Sequence, residues 1–362
     1  MEEAGKLVVI SMSNRPGGTE QCLRMIAEAA EGEMIYIQKD KNHKTETESK
    51  LQPQFITSGS LRSGFLMLIR TLAPYRKGYT IFSSSVYLNG WLGILKRIGY
   101  LQSELIFRES TTIFSRFKGL KRLSYELLYY LGYPTASLIV CQTDAMRREF
   151  VKYNGFIPSD KVVTLHNPID LETVIQKAQE GLDEEYGDFI CSAGRLITVK
   201  GFDFLIKAFN NIAHEHKGLK LIILGDGPEK NNLVQLIRQL ELEDRVILKG
   251  FVENPFPYFK AARLCVVSSI KEGFPNVLLQ MMALNNDVVS TLCAGGIEDI
   301  KGIIKVKPGD IDALSEGMNA RFKSVTNSRT ALDRYLYHLS PANYINNLLS
   351  QFQLPFYSSK NS

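Results

Sequence analysis

Two short stretches of this chain set charged side chains where loops follow apolar runs. SAGRLITVKG (192–201) places Arg195 and Lys200 just past the run DFICSAG, with Gly194 letting the backbone turn. Two cations there suit a diphosphate, the arginine as a fork of N–H donors and the lysine as a point charge. EGFPNVLLQ (272–280) sets Glu272 beside a Gly-Phe-Pro turn and ends on the amide of Gln280. Pro275 suits a first helical turn, so a helix is expected from about Pro275 or Asn276. Its free amides and positive dipole end would face a bound phosphate without a metal. A carboxylate beside such a site cannot itself favour the anion; it suits hydroxyl groups, as a sugar offers. GDGP (225–228) is a further glycine turn, weak on its own because Gly-x-Gly-Pro also makes ordinary turns.

Such loops need strands before them and helices after them. KLVVISM (6–12), the turn NRPGG and TEQCLRMIAEAAE read as strand, glycine turn and helix. EMIYIQ, YTIFSS, ELIFRES, SLIVCQT and KVVTLHN repeat the strand theme, separated by helical stretches such as LSYELLYYLGY and DAMRREFVKYNG. After the polar QKAQEGLDEEYG a second series begins: DFICSAG, KLIILGDG, RVILKGF, RLCVVSS and DVVST, alternating with GFDFLIKAFNNIAHEH and PEKNNLVQLIRQLEL. The alternation predicts an α/β protein of two Rossmann-like domains with parallel sheets. Their expected spans are 1–168 and 187–335, joined near 168–187, with 336–362 a segment that packs back on the first domain. Ligands of such sheets bind at the carboxyl ends of the strands, so the chemistry is expected in a central cleft.

The 362 residues suit about two domains, and 44% apolar with 22% charged residues is the composition of a folded chain. Arg62, Arg70, Lys96 and Arg97 interrupt every run that approaches a bilayer span. The N-terminus, MEEAGKLVVISMS, carries acids where an export signal needs bases, so no export is expected. Cys22, Cys141, Cys191, Cys265 and Cys293 stand singly, which fits reduced thiols, and neither they nor the five histidines have metal-ligand spacing. Charge is uneven: residues 1–170 hold 22 Lys+Arg against 16 Asp+Glu, and 171–362 hold 21 against 22. Residues 60–125 carry eleven basic residues against Glu104 and Glu109, interleaved with Phe65, Tyr75, Tyr87, Trp91, Tyr100, Phe114 and Phe117. Such a surface suits anionic lipid headgroups or nucleic acid, or is simply a solvated basic face.

The pieces SAGRLITVKGFDFLIKAF, LIILGDGPEKNNL, RVILKGFVENPFPYFKAARLCVVSSIKEGFPNVLLQMMAL and VVSTLCAGGIEDI, in that order and spacing over residues 190–300, resemble the donor domain of retaining glycosyltransferase family 4, of the GT-B fold. NRPGGTEQ and VVTLHNPID resemble that family's glycine-glycine loop and interdomain stretch. The resemblance implies that Arg195 and Lys200 hold the donor's diphosphate and that Glu272 contacts the transferred sugar. Gly194, Gly273, Phe274, Pro275, Asn276 and Val277 would line the sugar and phosphate, and Phe251 would meet the base. Gly17 and Gly18 would reach the diphosphate or acceptor from the other domain.

Two positions depart from the pattern. Gln280 stands where relatives usually carry a second Glu for the ribose hydroxyls; an amide keeps one acceptor and adds a donor, so weaker nucleotide binding in an active enzyme is expected. Many relatives carry a His after the strand that here reads ELIFRES. RESTT (108–112) instead resembles the acidic-then-hydroxyl variant of lipid-linked oligosaccharide enzymes, which makes Arg108 and Glu109 the acceptor-side candidates, or else a surface ion pair at a strand end.

The implied reaction is transfer of a sugar, with retention, from a UDP-sugar to a hydroxyl of a lipid-linked saccharide in bacterial surface polysaccharide, O-antigen or glycan assembly. No metal or other cofactor is expected, nor any nucleic acid; the expected location is an anionic membrane face on the cytoplasmic side of the inner membrane. Rival readings are a non-catalytic nucleotide-sugar-binding homologue, favoured by Gln280, a nucleic-acid binder, favoured by the basic region, and a sugar-nucleotide epimerase. DID (310–312) has the letters of a metal motif but reads as a helix cap. His166 lies beside Asn167-Pro168, and Glu298 would either reach the donor or cap a following helix.

Overall fold

The computed structural model describes residues 6–15, 17–40, 51–110, 113–116, 119–323 and 328–352. Pro16, Thr111, Thr112 and Phe117, the acids of the N-terminus and the tail from 353 lie outside the described residues. The chain divides into two compact units, one of residues up to Pro168 together with those from Leu339, the other of Ile169–His338.

The first unit holds strands β1 (Leu7–Ser13), β2 (Glu33–Gln38), β3 (Gln54–Thr57), β4 (Thr80–Ser84), β5 (Glu104–Glu109), β6 (Leu138–Cys141) and β7 (Val162–Thr164). They form one parallel sheet in the order β3-β2-β1-β4-β5-β6-β7. The second unit holds β8 (Phe189–Ala193), β9 (Lys220–Leu224), β10 (Val246–Gly250), β11 (Leu264–Val267), β12 (Val288–Thr291) and β13 (Ile304–Val306), parallel and ordered β10-β9-β8-β11-β12-β13. Two parallel Rossmann-like sheets are thus what the alternation predicts. Their inner strands are continuous apolar runs because helices cover both faces; Val8, Val9 and Ile10 of β1 are wholly buried. β3 and β13 have no counterpart among the predicted strands, since QFIT and IKV are edge strands too short to show a pattern. The polar connection after HNPID contains a helix, Leu171–Lys177, capped by Asp170, whose Oδ1 accepts from the amide of Thr173 at 3.1 Å.

Sequence order reverses between β1 and β4 in one sheet and between β8 and β11 in the other. At such switch points the loops on either side diverge, leaving room for a ligand at the strands' carboxyl ends. In the first unit the helices Val86–Arg97 and Gly119–Gly132 cross with their backbones in contact. A Cβ on Gly93 would lie 2.2 Å from the carbonyl oxygen of Gly132, and one on Gly132 would lie 2.4 Å from that of Gly90. The helix Pro341–Phe352 buries Tyr344 and Leu348 beside Leu23 and Ile26, so the last described residues complete the first unit's core. Among the described residues no helix is long and apolar enough to cross a membrane.

Candidate active site

In the second unit the predicted donor loops converge at the switch point. β8 runs into Gly194 and Arg195, while β11 runs into Ser268, Ser269 and Glu272. Backbone bonds lock these loops to their neighbours: the amide of Gly194 donates to the carbonyl of Leu224 at 2.9 Å, Leu196 to Asp226 at 3.0 Å, Gly225 to Gly250 at 2.7 Å, and Ile270 to Val199 at 2.8 Å. GDGP is part of this lattice rather than an isolated turn. A Cβ on Gly225 would lie 1.9 Å from the carbonyl oxygen of Gly194, so only glycine permits that approach.

Lys200 and Glu272, which come from different predicted stretches, form one ion pair. The ammonium donates to both carboxylate oxygens at 2.9 Å, and the two side chains are 20% and 14% exposed. Ser269 donates to the same carboxylate, and the amide of Glu272 donates to the carbonyl of Cys293 at 2.8 Å. Arg195 is exposed, and among the described residues nothing pairs with its guanidinium. The predicted helix starts where Pro275 implies, at Asn276–Leu284, without a side-chain cap or an acidic residue in its first turn. Gly273 and Val277 stand partly exposed at this end and Phe274 is buried, while Gln280 lies one turn further in and is partly exposed. Phe251 follows β10 and is 59% exposed. Cys293 is buried against this cluster; burial, followed by the Glu272 charge, pushes its thiol up to about 12, so it is no nucleophile.

In the first unit, Gly17 is the extended N-cap of the helix Gly18–Ala29, in the loop after β1. Arg108 and Glu109 end β5, and they are not a surface ion pair: they are 1% and 3% exposed and point to opposite faces of the sheet. Arg108 lies on the face of Cys22 and Tyr344, and its Nη2 donates to Asn167 Oδ1 at 2.6 Å while Nε and Nη1 have no partner among the described residues. On the other face Glu109 accepts from Tyr129 at 2.8 Å and from Tyr133, whose hydroxyl is also 3.0 Å from the Asn89 amide. Burial raises the Glu109 carboxyl to about 7 against the opposing pull of the two tyrosine hydroxyls and of Arg108. A pocket of about 120 Å³ opens beside it, lined by Ser85, Tyr87, Glu109, Ser110 and Tyr125 among others.

Ser85, between β4 and the helix Val86–Arg97, has a φ of 97°, a strained backbone for a residue with a Cβ, and such strain gathers at functional sites. Neither Ser85 nor the tyrosines were predicted as site residues. Tyr125, Tyr129 and Tyr133 recur every four positions, but that spacing is also the ordinary signature of a helix's core face.

Other candidates resolve structurally. Asp310 Oδ1 accepts from the amide of Ala313 at 3.0 Å and caps the helix Ile311–Lys323, as the cap reading of DID requires. His166 Nδ1 lies 3.0 Å from the carbonyl oxygen of Gln142. No helix follows Glu298: the chain passes through turns into β13, so the helix-cap alternative falls away. Among the described residues no group of three His, Cys, Asp or Glu is placed to hold a metal.

Two parallel Rossmann-like units, each with its loops gathered at a switch point, define a protein of the GT-B type. Anabaena HepE in complex with UDP and glucose shares this fold, with a TM-score of 0.79 at 20% identity over 96% of this chain and 99% of that one. Residues 187–323 match the family Glycosyl transferases group 1. Over 245 residues, 66% of each protein, it is 34% identical to the N-acetylgalactosamine-N,N'-diacetylbacillosaminyl-diphospho-undecaprenol 4-alpha-N-acetylgalactosaminyltransferase of Campylobacter jejuni. Over 132 residues, 36% of this chain and 38% of the relative, it is 36% identical to the lipopolysaccharide core biosynthesis glycosyltransferase LpsE of Rhizobium meliloti. The matches thus span 66% or less of these relatives' own lengths.

Proposed function

We propose that this protein transfers a sugar, with retention and without a metal, from a nucleoside diphosphate sugar to a hydroxyl of a lipid-linked saccharide. The observation that carries the reading is the exposed guanidinium of Arg195, unpaired among the described residues, at the switch point of the second sheet, beside the Lys200–Glu272 pair and the acid-free start of the helix Asn276–Leu284. A departing diphosphate gains most from fixed positive charge, here Arg195, Lys200 and helix amides. Glu272, held by Lys200 and Ser269, keeps lone pairs for a sugar hydroxyl. Uridine is the proposed nucleotide, in keeping with the UDP bound to HepE. A lipid-linked acceptor accords with the undecaprenol-bearing acceptor in the name of the Campylobacter relative, and bacterial glycan assembly at the cytoplasmic membrane face with the lipopolysaccharide relative. For the acceptor side, Glu109 and the pocket beside it are the proposed groups: a carboxyl near neutrality can accept a hydroxyl proton.

Thermal unfolding with UDP, GDP, ADP and CMP, each with and without magnesium, tests the donor half. Saturation at about 100 times the dissociation constant adds about 2.7 kcal/mol, or a few degrees. The expected outcome is a rise with UDP, independent of magnesium and absent in Arg195→Ala. A rise undiminished in that variant would refute the diphosphate role. Gln280 favours a second reading, a nucleotide-sugar binder without turnover; it is the better one if UDP-sugars bind and no acceptor panel yields product.

A further inference from the structure

We propose that the first unit binds a small inorganic anion, of the size of chloride, between the side chains of Arg108 and Tyr344. Among the described residues four buried polar side-chain atoms have no hydrogen-bond partner. Three of them are Arg108 Nε, Arg108 Nη1 and Tyr344 Oη, the fourth being Trp91 Nε1. The first two side chains come from elements far apart in sequence, the end of β5 and the helix Pro341–Phe352, yet the charge of Arg108 acts on the Tyr344 phenol. Arg108 and Tyr344 are 1% and 4% exposed, so bulk water reaches neither. Orphaned polar groups in a core call for a partner, and here three gather in one place.

The chemistry of the lining selects that partner. A guanidinium offers donors alone. Its third nitrogen, Nη2, is bonded to Asn167 Oδ1 at 2.6 Å, and the nitrogen of that amide donates in turn to Gln142 Oε1 at 3.2 Å. Burial pushes the Tyr344 phenol and the Cys22 thiol up, so both keep their protons and neither supplies a negative charge. Two acids feel the charge of Arg108 without bonding to it. Glu20, in the first turn of the helix Gly18–Ala29, turns its carboxyl to the backbone amide of its own position. Glu109 lies on the other face of the sheet, held by Tyr129 and Tyr133. A buried charge without a bonded counter-charge is costly. A water molecule would bring two more donors to a place that already has three unpartnered ones, and it carries no charge. A compact anion accepts from all three and neutralises the guanidinium.

The site lies where the two stretches of chain that make up the first unit meet. Asn167 precedes the crossing at Pro168, and Tyr344 sits on the helix that returns after His338. An anion there ties β5 to the returning helix and stabilises the first unit, an inference that does not rest on the donor or the acceptor proposed above.

Urea unfolding of the full chain in potassium chloride and in potassium gluconate of equal ionic strength tests the site. Trp91, the one tryptophan of the chain, belongs to the first unit and reports its unfolding by fluorescence. With chloride at about ten times its dissociation constant, the unfolding constant of the wild type should be about tenfold lower than in gluconate. Arg108→Met should abolish that difference. Tyr344→Phe removes one donor and keeps the ring in the core; it should weaken chloride binding severalfold with unchanged circular dichroism, and it carries the test if Arg108→Met does not fold. Wild-type midpoints that agree in the two salts across a chloride titration would mean that water fills the place. A chloride effect of full size in Tyr344→Phe would put the ion elsewhere. Either result would overturn the proposal.

Discussion

Arg195 and Lys200 share one loop but meet different electrostatic fates. Arg195 faces solvent, whereas Lys200 is held by Glu272 across 72 residues of chain. A pair this sheltered loses hydration that its attraction only partly repays, so its value is a defined lysine position rather than stability. Glu109 makes a sharper prediction. Its carboxyl stands at about 7 in the fold against an ordinary 4.5, with burial the first cause. From pH 4.5 to 7 the unfolded chain has released this proton while the folded chain keeps it. Its contribution to stability is therefore full below 4.5 and gone as pH rises through 7, a loss of about 3 kcal/mol. Tyr129, Tyr133, Asn89 and Cys141 face the same carboxyl, the charge of Arg108 acts on it from the other side of the sheet, and all of them remain in the variant. Urea unfolding of wild type and Glu109→Gln across that range should show wild type losing ground as pH rises. A pH-independent difference would mean that the carboxyl titrates normally.

At the scale of elements, the loops proposed to hold the donor are one object. The hydrogen bonds that join Gly194 to Leu224, Leu196 to Asp226 and Gly225 to Gly250 mean that displacing one turn displaces the others. Gly225→Ala meets both a positive φ of 136° and the carbonyl of Gly194. It should destabilise the second unit by more than about 2 kcal/mol and remove the UDP-induced rise in melting temperature. If UDP stabilised this variant as it does wild type, the loops would not act together. The crossing at Gly93 and Gly132 plays a comparable part in the first unit, holding the helix whose tyrosines reach Glu109.

At the scale of the whole molecule, the chain crosses from the first unit to the second after Pro168 and returns after His338. The returning helix Pro341–Phe352 fills the first unit's core with Tyr344 and Leu348, 4% and 2% exposed. Leu348→Ala should cost about 2–5 kcal/mol, while stabilisation by UDP stays as in wild type because Leu348 packs in the first unit. Denaturant unfolding followed with and without nucleotide separates the two effects. An unchanged unfolding midpoint would mean that the returning helix adds nothing to the first unit.

The sequence by itself determined the two parallel sheets, because strands buried on both faces are written as uninterrupted apolar runs, as in LVVISM and LIILG. It also determined the turns at 194–200 and 272–275, proposed above to hold the donor, since glycine turns, cations and Pro275 act locally, within a few residues of the strand or helix end they follow. The tertiary structure alone decided what those groups meet. Lys200 finds Glu272 and Glu109 finds two tyrosines at sequence separations of 72, 20 and 24, and no local pattern encodes such contacts. Arg108 and Glu109 differ by one position, yet the two-residue period of a strand sends them to opposite faces of the sheet, which only the folded packing makes into two buried sites. The exposed side of the helix Gly119–Gly132, that of Leu120, Leu123 and Leu127, was hidden for the related reason that LSYELLYYLGY is apolar on nearly every side; which face the protein covers is settled by the glycine crossing and not by the run itself.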